Sequence, residues 1–144
     1  VRDATTARMA IGAGASFLVS PCLNLDVVAM ANRYGVMVVP GCLSPTEIDQ
    51  AAAAGAEVIK LFPGRVATPG YFKDILGPFP EVRLMPTGNV NLETAPEYIR
   101  AGAVGVGVGK ALVDPAAFRA ARWADITENA RRFRTVIDVA RGAA

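Results

Sequence analysis

One lysine lies where an apolar strand is expected, and it is the residue best suited to covalent chemistry. Lys60 sits inside the run Val58-Ile59-Lys60-Leu61-Phe62, and the chain has only two other lysines, Lys73 and Lys110. Burial disfavours an ammonium and lowers its pKa, which leaves a free amine able to attack a carbonyl. The position indicates a Schiff-base lysine. The alternative is an ordinary strand lysine whose charged end reaches solvent.

The residues that the chain lacks narrow the possible chemistry. With no histidine, a Ser-His or Cys-His nucleophile and a histidine-ligated metal site are excluded. The 13 carboxylates form no metal-binding loop pattern, so we expect neither metal nor cofactor. A net charge of +2 predicts no nucleic-acid partner, and no apolar stretch approaches the roughly 20 residues of a membrane span. Two cysteines, Cys22 and Cys42, are too few for a disulfide framework and favour a reducing cytoplasm.

A repeated pattern of helix, glycine and apolar strand runs along the chain. Four helix-like segments stop at a glycine, which can supply a left-handed cap. An apolar segment follows each one, and a fifth follows a proline turn. The predicted strands are residues 16–19, 36–39, 57–60, 82–85 and 103–106. Each leads through a Pro or Gly loop towards a helix, so the unit of roughly 20 to 26 residues is that of a short βα repeat.

Several helix boundaries are legible from capping residues. Ser44-Pro45-Thr46-Glu47 has the capping-box arrangement and follows a short predicted loop at residues 40–43. Asn24 can cap a helix over residues 25–34, and Asn91 or Thr94 opens a helix towards Arg100. Apolar residues at helical spacing predict a last helix over residues 124–141.

Strand, loop and helix in repetition, without a hairpin signal, predict a parallel sheet in an α/β fold. We interpret residues 1–144 as a single domain. A doubly wound sheet and a portion of a (β/α)₈ barrel both fit the pattern. In either architecture, ligands bind at the loops that follow the strands.

The loops after the predicted strands are rich in proline and glycine. They contain Ser20-Pro21-Cys22, Pro40-Gly41-Cys42, Phe62-Pro63-Gly64, Thr87-Gly88-Asn89 and Gly107-Val108-Gly109. Tight βα turns need such residues in any case. The last two loops, however, each followed by an expected helix start, suit a phosphate site made from backbone N–H groups, with Lys110 as an adjacent charge.

Four segments together resemble one family of enzymes. They are residues 12–21 (GAGASFLVSP), Val38-Val39-Pro40-Gly41 with the capping box after it, Ile59-Lys60-Leu61-Phe62-Pro63, and Pro86-Thr87-Gly88-Asn89-Val90. They closely resemble, in order over nearly the whole chain, the 2-keto-3-deoxy-6-phosphogluconate / 4-hydroxy-2-oxoglutarate aldolases. The resemblance implies a (β/α)₈ barrel of which this chain holds about the last five βα units. It also implies a class I lyase, typically homotrimeric, that forms pyruvate and glyceraldehyde 3-phosphate, or pyruvate and glyoxylate.

The same resemblance assigns roles to particular residues. Lys60 would form the Schiff base, and Pro40 and Phe62 would wall the pyruvate pocket. The phosphate-binding residues would be Thr87, Gly88, Asn89, Gly109 and Lys110. Two of these depart from the family pattern, which usually has a second glycine at the position of Asn89 and often a serine at that of Lys110. Asparagine tolerates positive φ, and lysine can bind phosphate as a point charge.

The N-terminal part of the family pattern has no counterpart in this chain. The first three strands, which carry the family's general-base glutamate, would precede Val1, and the chain does not begin with methionine. We therefore expect an N-terminally truncated aldolase that by itself has little or no turnover. Two other hypotheses are a phosphosugar isomerase or epimerase on a similar barrel and a non-catalytic phospholigand-binding module.

Overall fold

A computed structural model describes residues 1–142. Its helices are α1 (Ala4–Gly12), α2 (Leu25–Arg33), α3 (Pro45–Ala53), α4 (Pro69–Leu76), α5 (Thr94–Arg100), α6 (Pro115–Arg119) and α7 (Trp123–Ala140). Its strands are β1 (Phe17–Val19), β2 (Met37–Val39), β3 (Gly41–Cys42), β4 (Ile59–Leu61) and β5 (Leu84–Pro86). None of the helices in this range combines the length and the apolar character that crossing a bilayer requires.

The strands pair in parallel, in the order in which they occur along the chain. β1 pairs with β2, and β3, β4 and β5 form a second ladder. The ladders meet at Pro40, whose carbonyl accepts a hydrogen bond of 2.9 Å from the Lys60 amide. Right-handed crossovers between strands in sequential order place the connecting helices on one face of the sheet. Sequential order of the paired strands favours a barrel-type winding over a doubly wound sheet, in which the strand order reverses.

The predicted loop at residues 40–43 was wrong, because Gly41 and Cys42 form β3 and pair with β4. Pro40 has no amide hydrogen to donate, so it interrupts the ladder for one residue. Before Pro40 the chain pairs with β1, and after it the chain pairs with β4 on its other edge. A side chain at position 41 would collide with the backbone of Pro21. Glycine therefore lets the loop after β1 pack against β3.

The strand predicted at residues 103–106 was also wrong. The amides of Val104 and Gly107 donate to the carbonyls of Leu84 and Pro86 at 3.0 and 2.8 Å, but the pairing amounts to one isolated parallel bridge between Thr87 and Gly107. Glycines at positions 105 and 107 remove the side chains that stabilise a strand. The segment therefore follows β5 without forming a regular ladder.

Two of the three capping predictions are confirmed; α5 begins at Thr94 after Glu93, and Asn91 accepts from the amides of Glu93 and Thr94 without occupying the N-cap position. The Asn24 side chain accepts from the amides of Asp26 and Val27, and Ser44 and Glu47 form a complete capping box. The glycines at 14, 35, 55 and 102, after the predicted helix-like segments, all have positive φ. Helix α7 lies within one residue of its predicted bounds at each end.

The two faces of the sheet differ in what covers them. Ile59, Leu61 and Leu84 are buried in one cluster with Ile48 of α3 and Phe72 of α4. We call this the helix-covered face. Alternation along β4 sends the Lys60 side chain to the opposite, helix-free face. The site is therefore held by a strand whose flanking residues are anchored in the core.

Candidate active site

Lys60 is the central residue of β4 and is almost entirely buried. Its register partners are Gly41 in β3 and Met85 in β5. The residue is 9% exposed, and burial lowers the pKa of its amine below the usual lysine range. Within residues 1–142 no carboxylate lies within 4.0 Å of this amine to stabilise its charge. The amine is therefore more easily deprotonated than that of an exposed lysine.

The other two predicted pocket residues lie beside Lys60. The amine nitrogen Nζ lies 4.5 Å from the centre of the Phe62 ring, which is on the same face of β4. Pro40 is fully buried, and its carbonyl accepts the Lys60 amide hydrogen bond. Phe62 itself is 37% exposed. The structure thus brings Lys60, Pro40 and Phe62 together and leaves part of the aromatic ring open to a ligand.

A cleft of about 500 Å³ lies where the loops that follow β4 and β5 meet the loop after residue 107. Its lining residues are Pro63, Gly64, Arg65, Gly88, Asn89, Val90, Asn91, Gly109, Lys110 and Ala111. Four of these, Gly88, Asn89, Gly109 and Lys110, were predicted to bind phosphate. None of the lining residues carries a carboxylate, whereas Arg65 and Lys110 are cations. The composition favours an anionic ligand.

The backbone of the cleft includes a turn with positive φ and, in the described part of the chain, several free amides. Gly88 and Asn89 both have positive φ, of 88° and 58°, so asparagine adopts the left-handed conformation at this turn. Within residues 1–142 the amides of Asn89, Gly109 and Lys110 donate no hydrogen bond to the protein. They are available to a bound anion.

The helix expected after the Gly107-Val108-Gly109 loop does not begin at the loop itself. Residues 110–113 form turns, with the amides of Leu112 and Val113 donating to the Gly109 carbonyl, and α6 begins only at Pro115. Asp114 caps that helix through the Ala116 amide. The anion cleft therefore depends on loop amides and cations at this position and has no helix N-terminus there.

Thr87 is placed differently from the other predicted phosphate residues, because it does not line the cleft. It lies two residues after Met85, the register partner of Lys60, and so faces the same side of the sheet as Lys60. Its hydroxyl oxygen Oγ1 is buried and has no hydrogen-bond partner in the described structure. Next to it, a Cβ at Gly107 would collide with that oxygen. The hydroxyl is thus an unpaired polar group on the face that carries the amine.

Close backbone contacts connect the lysine pocket to the cleft. The Gly64 amide donates to the Thr87 carbonyl at 2.8 Å, and the Tyr98 hydroxyl donates to the Gly64 carbonyl at 3.0 Å. A Cβ at Gly88 would lie 3.4 Å from the edge of the Phe62 ring. Phe62 therefore stands between the amine and the cleft, and a buried tyrosine fixes the loop that holds it.

Sequence reasoning did not identify Arg65 as part of the site. The residue is exposed and lines the cleft. The available signal was its position immediately after the Phe62-Pro63-Gly64 loop, on the same edge of the sheet as the other site loops. It is the one cation that this loop adds to the cleft.

Other candidate nucleophiles and metal sites are disfavoured within residues 1–142. Burial raises the pKa of the Cys42 thiol to about 12, with contributions from Glu47 and Cys22. A thiol with that pKa is a poor nucleophile at neutral pH. No group of histidine, cysteine or carboxylate side chains in this part of the chain could hold a metal ion. The amine of Lys60 is thus the best-placed nucleophile described.

Comparison with known proteins finds related aldolases. Residues 1–129 match the model of the KDPG and KHG aldolase family. A 2-dehydro-3-deoxy-phosphogluconate aldolase of Treponema pallidum is 39% identical over 65% of this chain and 45% of its own. The chain spans about half the length of the curated relatives it matches.

Two solved structures add information about ligands of related proteins. A KDPG aldolase of Legionella pneumophila, with pyruvate captured as a covalent carbinolamine, has a TM-score of 0.83 and 27% identity over 90% of this chain and 63% of its own. The enzyme of Zymomonas mobilis with 3-phosphoglycerate has a TM-score of 0.71 and 27% identity over 79% of this chain and 55% of its own. From the match over residues 1–129, the chain belongs to the KDPG and KHG aldolase family.

Proposed function

We propose that this protein is a class I aldolase that cleaves 2-keto-3-deoxy-6-phosphogluconate to pyruvate and glyceraldehyde 3-phosphate. The observation that carries the proposal is the buried Lys60 amine, with its lowered pKa, beside Phe62 and near a cleft that contains two cations. The Legionella relative captured with pyruvate as a carbinolamine supports the same chemistry.

The reaction begins with attack of the Lys60 amine on the keto carbon C2 of the substrate. Loss of water gives a protonated imine. The C3–C4 bond then breaks as the C4 hydroxyl loses its proton, C4 becomes the aldehyde carbon, and the bonding electrons move towards the imine nitrogen to form an enamine. Protonation at C3 and hydrolysis release pyruvate and return the free amine.

The neighbouring residues position the two ends of the substrate. Pro40 and Phe62 provide apolar walls for the pyruvate portion, and the unpaired Thr87 hydroxyl is available on the same face. The phosphate group lies in the cleft against Gly88, Asn89, Gly109 and Lys110. Fixing both ends aligns the C3–C4 bond with the imine and reduces the entropy lost on reaction.

Proton transfer is the weak step in this chain. No carboxylate of residues 1–142 lies within 4.0 Å of the Lys60 amine, and a well-placed general base typically contributes about 10² to 10⁴ in rate. We therefore propose that imine formation and turnover are separable. Relative to a typical turnover of about 10 s⁻¹, cleavage by this chain is expected on the order of 10⁻³ to 10⁻¹ s⁻¹.

The experiment couples pyruvate release from 2-keto-3-deoxy-6-phosphogluconate to lactate dehydrogenase at high protein concentration. We expect slow, saturable release that Lys60→Arg abolishes, because a guanidinium stays protonated and forms no imine. Lys73→Arg, on the exposed surface of α4, is the matched control and should retain the rate. Conversion of a phosphosugar without pyruvate release would support an isomerase or epimerase. Ligand binding without any Lys60-dependent reaction would support a phospholigand-binding module.

Three wider features belong to the same proposal. The barrel-type winding supports a (β/α)₈ barrel for the whole enzyme, of which this chain is a C-terminal portion. The family resemblance supports a homotrimer. Two free cysteines, Cys22 and Cys42, support a cytoplasmic location.

A further inference from the structure

Arg65 is a cation of the cleft to which the proposed reaction gives no role. It lines the same 500 Å³ space as Lys110. Within residues 1–142 neither residue forms an ion pair, and the three ion pairs in this range all lie on the surface of the last helical segment. Both side chains are therefore free to bind an anion.

The backbone beside Arg65 is held firmly, although its side chain is exposed. The Gly64 amide and carbonyl are both hydrogen-bonded, to the Thr87 carbonyl and the Tyr98 hydroxyl. A side chain at position 64 would collide with the Gly88 carbonyl, so the two loops are in direct contact. Arg65 thus extends from a fixed point on the β4 loop, whereas Lys110 extends from the loop after residue 107.

Two like charges in one cleft repel each other, and a bound anion relieves that repulsion. A singly charged carboxylate neutralises one cation, whereas a phosphate monoester carries about −1.5 to −2 at pH 7 and can satisfy both. The planar guanidinium of Arg65 can also donate two parallel hydrogen bonds to phosphate oxygens, and the ammonium of Lys110 acts as a point charge. The pair therefore discriminates by ligand charge as well as by shape.

We propose that Arg65 and Lys110 form a two-cation clamp that makes this protein select substrates ending in a phosphate dianion over those ending in a carboxylate. This inference rests on the proposed aldolase function and refines it. The preferred keto acids are phosphorylated, and 4-hydroxy-2-oxoglutarate is a poor substrate. Arg65 is a specificity-determining residue that acts on the distal end of the substrate.

The test measures binding of glycerol 3-phosphate and of glycerate, two three-carbon probes that differ in charge, to the wild type and to variants. We expect Arg65→Ala to weaken glycerol 3-phosphate binding about 10-fold or more, since charge-assisted hydrogen bonds are lost. Glycerate binding should change far less. The affinity of Arg65→Lys for glycerol 3-phosphate should lie between those of the wild type and Arg65→Ala, because the charge remains while the paired hydrogen bonds are lost.

The pH dependence provides a second readout with a defined sign. A phosphate monoester loses its second charge below a pKa of about 6, so the advantage of the wild type over Arg65→Ala should shrink as pH falls from 7.5 to 5. Lys73→Ala removes a lysine outside the cleft and should retain wild-type affinity at both pH values. Lys110→Ser should reproduce the loss seen with Arg65→Ala.

The outcomes separate this inference from the aldolase proposal. If Arg65→Ala weakens the binding of both probes equally, or weakens neither, the clamp proposal is overturned, whether or not Lys60 reacts with pyruvate. Wild-type protein that discriminates between the probes through Arg65 but forms no pyruvate adduct supports the clamp and contradicts the aldolase. Circular dichroism of Arg65→Ala and Arg65→Lys checks that both variants are folded.

Discussion

The two faces of the sheet have opposite roles, and a single strand contributes to both. On the helix-covered face, Ile59 and Leu61 of β4 are essentially inaccessible. On the helix-free face, Phe17 is 55% exposed and Met37 40% exposed, and the same strand β4 carries Lys60. This difference shows that the packed core holds the reactive amine in position through Ile59 and Leu61, the neighbours of Lys60 in the strand.

This arrangement explains how a lysine is kept in an unfavourable environment. Lys60 gains no ion pair within residues 1–142, so its burial costs stability when the amine is protonated. The packing of Ile59 and Leu61 against α3 and α4 offsets that cost. Packing on the helix-covered face thus stabilises a fold in which the Lys60 amine stays buried and reactive on the helix-free face.

The largest expected effect comes from removing a large side chain on the helix-covered face. Phe72 is fully buried and contacts Tyr98 edge to face at 5.4 Å between ring centres. We expect Phe72→Ala to lower the free energy of unfolding by about 3 to 5 kcal/mol, since it leaves a cavity. Phe17→Ala, on the helix-free face, should cost less than about 1 kcal/mol. Urea unfolding measures both, and equal losses would contradict the contrast between the faces.

A smaller effect is expected where the core supports the site loop. Tyr98→Phe removes the buried hydrogen bond to the Gly64 carbonyl and should cost about 1 to 3 kcal/mol. Because the same loop carries Arg65, glycerol 3-phosphate should bind more weakly.

The matched control is Tyr71→Phe, which removes a hydroxyl bonded to the Leu43 carbonyl at 2.6 Å. That variant should lose stability and keep its phosphate affinity. If both variants bind glycerol 3-phosphate as the wild type does, Tyr98 supports the fold without positioning the cleft.

The smallest effect is a gain in stability. Lys60→Met replaces a buried amine with an apolar side chain and should raise the free energy of unfolding at pH 7 by about 0.5 to 2 kcal/mol. Burial lowers the pKa of Lys60 in the folded state, so the unfolded state binds more protons, and wild-type stability rises as pH approaches the ordinary lysine pKa. The gain should therefore shrink between pH 7 and pH 10.

The control for this effect is Lys73→Met on the exposed face of α4. Its stability difference from the wild type should be small and independent of pH over the same range. A gain from Lys60→Met that grows with pH would contradict the proposed burial cost.

Local features of the fold were predictable from sequence, whereas features that depend on distant pairing were not. The capping box at Ser44 involves neighbouring residues only, and the strand around Lys60 is marked locally by its apolar run. Strand β3 was missed because it exists only through pairing with β4 beyond Pro40. Residues 103–106 look like a strand locally, but two glycines nearby prevent a regular ladder with β5.

The candidate site divides in the same way. Lys60 was identified by a charge in an apolar run, and the resemblance supplied Pro40 and Phe62 beside it. Arg65 was missed because it joins Lys110 only when the loop after β4 and the loop after residue 107 come together in the fold. The orientation of Thr87 away from the cleft follows from strand register, which a single sequence does not contain.

The most direct test of the central claim is reductive trapping of pyruvate. The protein is incubated with pyruvate and borohydride at neutral pH, digested, and its lysine-containing peptides are mapped by mass. We predict one reduced adduct, on Lys60, with none on Lys73 or Lys110 and none in Lys60→Arg. An adduct on another lysine, or no adduct in folded wild-type protein, would contradict the assignment of Lys60 as the Schiff-base residue.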